Sequence, residues 1–156
     1  MSLDRSAAKL VNAMYGVTNH ALSKEVASTV KTHSWIGAFT MAIPFFGVET
    51  FIYVFTLWHM YSSLSDKAQV SFSKNFFSNV VVGLVINTAV CGFFGFLLDF
   101  LPVVGWIGSA AVGYLSMSIS GCAYLEGLAA IHGERRVKER FNTNAAINYL
   151  GKQNQH

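Results

Sequence analysis

The side chains able to do acid, base or ligand chemistry are few in this sequence and stand far apart. Between Asn75 and Ile131 the only ionisable groups besides tyrosines and cysteines are Asp99 and Glu126. Glu49 and Asp99 flank two Pro-x-x-Gly segments, Pro44 to Gly47 and Pro102 to Gly105, with Glu49 after the first and Asp99 before the second. A carboxylate at a helix N-terminus gains about 0.3–1 kcal/mol from the backbone dipole, whereas a charge at the centre of a bilayer costs about 2.5–3.5 kcal/mol. An interfacial or helix-terminal place is therefore expected for both, ahead of proton or ion handling. Glu126 precedes His132 and the basic run Arg135, Arg136, Lys138 and Arg140, so it too is expected at an interface, near cytosolic headgroups. His59 has no second ligand at i+3 or i+4, which favours a buried hydrogen bond or an interface position over metal ligation. Cys91 and Cys122 lie in apolar runs without a CxxC or a nearby histidine, as buried free thiols do.

Phosphate loops, nucleophile elbows, H-E-x-x-H pairs and dinucleotide fingerprints are absent from the sequence. No catalytic residue, cofactor or metal is assigned, and a non-enzymatic protein is expected.

Composition narrows the class. Of 156 residues, 53% are apolar and 12% charged, against about 45–50% and 25% in soluble domains. Such a chain lacks the polar residues to cover a water-facing surface of ordinary size. The lysines and arginines, in a formal net charge of +3, cluster near the N-terminus, at Lys67 and Lys74, and from Arg135 to Arg140. None of these clusters has the interleaved aromatics of a nucleic-acid surface, so membrane flanks are expected instead. Residues 1–18 lack an apolar core and a cleavage site, and an amphipathic helix with Leu3, Ala7, Leu10 and Met14 on one face is expected rather than a removable signal.

The elements that must position these residues follow from punctuation. A second helix from about Asn19 ends at Ile43, because proline disfavours helix at the preceding residue. A third runs from Val48 to Leu64, and a fourth from Ser71 to Phe100. A fifth begins at the second Pro-x-x-Gly turn and ends near Gly133, followed by a polar helical tail over 134–156 that frays from Gly151. The fold class is all-α: integral membrane helical hairpins over 19–64 and 71–133, which form a weak internal repeat. The uncharged runs of the fourth and fifth helices exceed the ~20 residues that cross a bilayer. The first hairpin has shorter apolar arms, Ser34 to Ile43 and Val48 to Met60, and either spans thinly or re-enters as a wedge. If both turns share one side, every lysine and arginine lies on the other. That side, with both termini, is then cytosolic.

Small residues recur along the fifth helix at Ser109, Gly113, Ser116, Ser120, Ala123, Gly127 and Ala130, and along the fourth at Asn79, Gly83, Asn87, Cys91, Gly95 and Asp99. Such seams let helix backbones approach closely. The two are expected to face each other, either as packing within a hairpin or as an oligomeric or pore-lining seam.

The run from about Trp35 to Gly133 carries Ile43-Pro44-Phe45-Phe46-Gly47, Met60-Tyr61, and Leu101-Pro102-Val103-Val104-Gly105 ahead of Gly108-Ser109-Ala110-Ala111. It resembles domain-of-unknown-function family six-nine-seven, a bacterial membrane domain often encoded beside, or fused to, a small GTPase domain. Members commonly have a second proline before the first turn's glycine, where this chain has Phe46. The resemblance implies a helical membrane domain with a GTPase partner in trans and transfers no catalytic residue. The expected function is a noncatalytic anchor, adaptor or scaffold in the bacterial inner membrane. It is expected to bind membrane lipid, with homo-oligomers as one arrangement, and to recruit a cytosolic partner or anionic lipid through the amphipathic N-terminus and Arg135, Arg136, Lys138 and Arg140. A channel or membrane-shaping protein, or a soluble bundle that inserts on meeting a membrane, are the alternatives.

Overall fold

The computed structural model describes residues 2–43, 48–70, 81, 85–90, 93 and 104–153, with side chains in the last stretch described from Gly105 to Thr143. The protein is all-helical, and no strand occurs among the described residues. Four helices follow in order: α1 (Leu3–Tyr15), α2 (His20–Ala42), α3 (Val48–Lys67) and α4 (Val104–Gln153). Residues 85–90 are helical as well.

Local chemistry sets these boundaries. The Asn19 side chain accepts from the Leu22 N–H at 3.1 Å and opens α2, which closes at Ile43 in an extended conformation. Helix α1 stops at Gly16, whose φ of 75° is the left-handed conformation that side chains resist; its N–H bonds back to the Asn12 carbonyl at 2.8 Å. Helix α3 runs past the expected end at Leu64 to Lys67, because Gln69 takes the same conformation at φ 51°. There Gln69 N–H bonds to the Asp66 carbonyl and Val70 N–H to the Ser65 carbonyl, each at 3.1 Å, which satisfies the last carbonyls of the helix.

Apolar residues at steps of three and four build the core. Tyr53, Leu57, Met60 and Leu64 of α3 and Val26 and Val30 of α2 are buried, as are Met117, Leu125 and Leu128 of α4. Helix α1 adds Ala7, Leu10 and Val11 to the same core, with Leu3 and Met14 at its edge, so the expected amphipathic face is seated on the bundle. Pairings fix directions. Val30 meets Gly121 and Gly37 meets Gly113, while Glu25 meets Lys67 and His33 meets His59, so α2 runs antiparallel to both α4 and α3. Helix α1 runs parallel to α4, from Glu126 beside Ser6 to Arg136 beside Ala13.

Two expectations change. Helix α4 passes through Gly133 without a break, so the fifth helix and the polar tail are one element that extends to Gln153. Glycine costs a helix only about 1 kcal/mol, and the helix formers of Glu134 to Arg140 carry it onward. Second, no helix among the described residues is long and apolar enough to cross a membrane. In α4 the serines and glycines that permit close packing also dilute the apolar run. The fourth expected helix lies largely outside the described residues.

Candidate functional site

A groove of about 770 Å³ runs along α4 from Val112 to Ile131, with Tyr61 of α3 and residues 86, 87 and 90 as further walls. Its middle is polar but uncharged. The Asn87 amide donates to Ser120 Oγ at 2.6 Å and reaches the Tyr53 hydroxyl at 3.5 Å, while its oxygen accepts from the Ser116 hydroxyl. The amide thereby finds partners on two other helices. Tyr61 stacks on Tyr124 with ring centroids 4.4 Å apart, and the Tyr124 hydroxyl lies 2.5 Å from Ser65 Oγ. Burial pushes the Tyr124 hydroxyl up to about 12, against the opposing effect of the Ser65 hydrogen bond. The phenol stays neutral, and the groove offers hydroxyls and an amide rather than ions.

The expected small-residue seam divides between two neighbours. Ser116 and Ser120 face Asn87 as expected. Gly113 instead meets α2: a Cβ there would stand 2.8 Å from the Gly37 carbonyl oxygen and 2.9 Å from Met41 Cγ. Gly121, which the spacing did not single out, serves the same crossing, since a Cβ would meet Val30 Cγ1 at 2.4 Å. Ser109 is buried with its hydroxyl unpaired. A Cβ on Gly127 meets nothing within 4 Å, so the seam is open there and forms groove floor. Gly83 and Gly95 lie outside the described residues, as do Cys91, Asp99 and the turn residues Pro44, Gly47 and Pro102. Gly105 is buried in the first turn of α4, and Glu49 sits in the first turn of α3.

His59 finds its hydrogen-bond partner on another helix. His33 Nδ1 lies 2.7 Å from the Thr29 carbonyl oxygen, which can only accept, so Nδ1 carries the hydrogen. Its Nε2 then faces His59 Nδ1 at 2.9 Å, and in the neutral pair His59 donates. The imidazoles bond each other rather than converge on one point, and no group of three metal-ligating side chains occurs among the described residues. Cys122 is a free, buried thiol.

At the basic end, Glu126 accepts from Lys9 at 3.2 Å and from the Ser6 hydroxyl at 3.4 Å. Arg136 turns inward and donates to the carbonyls of Asn12, at 3.1 Å, and Ala13, closing the C-terminus of α1. Arg135, Lys138 and Arg140 are exposed. The expected basic cluster thus splits into one structural arginine and three outward cations. No family model matches this chain, and neither the curated proteins nor the solved structures contain a match. The partners that spacing alone did not reveal are His33, Ser65, Tyr124 and the carbonyls that hold Arg136. Each joins residues more than twenty positions apart.

Proposed function

We propose that this chain is a noncatalytic membrane anchor and scaffold, held in lipid by the end of the bundle where α2 ends and α3 and α4 begin, and presenting its basic end to a cytosolic partner. One observation carries this reading: among the described residues, exposed apolar side chains of three helices gather at the end of the bundle that carries no lysine or arginine. Phe39 and Ile43 of α2, Phe51 and Phe55 of α3, and Trp106 and Ile107 of α4 are all exposed, Phe51 to 79% and Ile107 to 74%. Each side chain of this kind gains about 1.5–3 kcal/mol on leaving water. Every lysine and arginine whose side chain is described lies toward the other end, from Lys31 outward.

An aromatic level separates the two. Trp35 packs edge-on against Tyr114 with centroids 5.2 Å apart, and Trp58 adjoins His59, which is bonded to His33 beside that level. Tryptophan and tyrosine favour the headgroup boundary. From Trp35 to Ala42 and from Trp58 back to Val48 the helices rise about 10–15 Å. That is the thickness of one leaflet of a ~30 Å hydrocarbon core. Insertion to that depth suits the absence of a spanning helix among the described residues, and agrees with a wedge-like first hairpin.

At the basic end, Val137 and Phe141 are exposed one turn apart among Arg135, Lys138 and Arg140. This ridge suits a protein partner with an acidic, apolar groove. The partner class we propose, a small GTPase, rests only on the short motif resemblance around Pro44 to Gly47 and Pro102 to Gly105. The test is fractionation of the full chain from bacterial membranes: it resists alkaline carbonate, and replacing Phe51 and Ile107 by aspartate releases it. Wild-type chain released by carbonate, or recovered without membranes, contradicts the reading.

A further inference from the structure

Helices α2 and α3 touch at several levels. Glu25 meets Lys67 at one end, His33 meets His59 in the middle, and Gly37 lies against Tyr53 toward the other end. The middle contact joins two side chains of the kind that gains charge between about pH 8 and pH 5. Their rings stack with centroids 5.2 Å apart and planes 29° apart. His33 is 8% exposed, whereas His59 is exposed.

Three of the four ring nitrogens are committed. His33 Nδ1 donates to the Thr29 carbonyl at 2.7 Å, and His33 Nε2 accepts from His59 Nδ1 at 2.9 Å. His59 Nε2 keeps its lone pair, so a first proton binds there and breaks neither bond. The donor is then cationic, which strengthens the bond it gives. A second proton has only His33 Nε2 to occupy. There it would set one N–H against another across 2.9 Å, with a positive charge on each of two stacked rings. The contact cannot survive that step.

No neighbouring charge among the described residues offsets the second proton. On α2, Glu25 stands eight residues before His33, about 12 Å along the helix, and is paired with Lys67, while Lys31 is a further cation. On α3, Glu49 and Asp66 are ten and seven residues from His59, about 15 and 10 Å along the helix. Helix α4 has no charged residue from Val104 to Leu125, and Glu126 is bonded to Lys9 of α1. Tyr53 and Tyr61 of α3 and Tyr114, Tyr124 and Cys122 of α4 are phenols and a thiol, which supply no counter-charge in this range.

We propose that the His33–His59 contact is a proton-counting latch between α2 and α3: one proton leaves it closed, and a second opens it. The latch works wherever the chain resides, so it does not depend on the membrane reading.

Hydrogen exchange of the full-length chain in mild detergent tests this, resolved by peptide and corrected for the intrinsic effect of pH, at about pH 7 and about pH 4.5. Exchange over 29–37 and 55–63 should quicken at least about tenfold at the acid pH, while α1 and residues 117–128 of α4 hold. His33→Gln keeps an acceptor near the Nε2 position and His59→Asn keeps a donor near the Nδ1 position, and neither new side chain takes up a proton. Both variants should stay closed at both pH values. Glu25→Gln removes the acid-labile ion pair with Lys67 and should keep the response. Histidine labelled with nitrogen-15 in the unsubstituted chain reads the protons directly: His59 becomes cationic first, and His33 charges only as exchange rises. Equal wild-type exchange at the two pH values overturns the latch, and so do two charged rings with exchange unchanged. A response that survives in both histidine variants also overturns it, and one lost in Glu25→Gln assigns the acid sensitivity to the ion pair instead.

Discussion

Three glycines of α4 occupy similar positions in the sequence and opposite positions in the fold. Gly113 lies against the backbone of α2, where an added methyl group meets a carbonyl that cannot move aside, so Gly113→Ala is expected to cost about 1–3 kcal/mol. Gly121→Ala should behave alike against Val30. Gly127→Ala meets only open space and should gain up to about 1 kcal/mol from helix propensity. Thermal unfolding of the three variants in one detergent orders them. Gln69→Gly relieves a left-handed side chain at the end of α3 and is expected to stabilise by about 0.5–1 kcal/mol in the same assay. The Tyr124 hydroxyl titrates at about 12 when folded, against 10.0 for a free phenol. Its raised value contributes stability that is complete below pH 10 and lost as pH rises toward 12. Tyr124→Phe removes that part of the alkaline slope, which denaturant unfolding across this range measures. Spacing alone could mark these glycines as small, but which neighbour each would meet depends on how α2 crosses α4.

At the scale of elements, the helix ends were legible where one residue's chemistry decides them. Asn19 opens α2 by accepting a backbone hydrogen, and Ile43 closes it before Pro44. The end of α3 was less legible because Gln69, not a glycine, adopts the left-handed turn. Gly133 misled in the other direction: glycine permits a helix to stop but does not compel it. Helix α1 is held to α4 by long-range polar contacts that no local pattern encodes. Arg136→Ala leaves the carbonyls of Asn12 and Ala13 without their donor and should cost about 0.5–2 kcal/mol, near the value of a helix cap. Hydrogen exchange should then quicken in α1 ahead of α2 and α3. Equal protection of all three helices in this variant would show that apolar packing of Leu10 and Val11 alone secures α1.

Over the whole molecule, composition signalled a chain with too little charge for an ordinary soluble surface, and the exposed apolar end gives that shortage a location. Spacing set Asn87 opposite Ser116 and Ser120, but the histidine pair was beyond a linear reading, since His33 and His59 become neighbours only when α2 and α3 pack. The central claim, that the end bearing Trp106 lies in hydrocarbon while Trp35 and Trp58 mark its boundary, is tested most directly by the native tryptophans. Variants that keep one tryptophan each, with the others replaced by phenylalanine, are reconstituted in vesicles with lipids brominated at graded depths. Trp106 should be quenched best by bromine deep in the acyl chains, and Trp35 and Trp58 by bromine near the headgroups. Three tryptophans quenched by aqueous iodide and indifferent to brominated lipid would contradict the account.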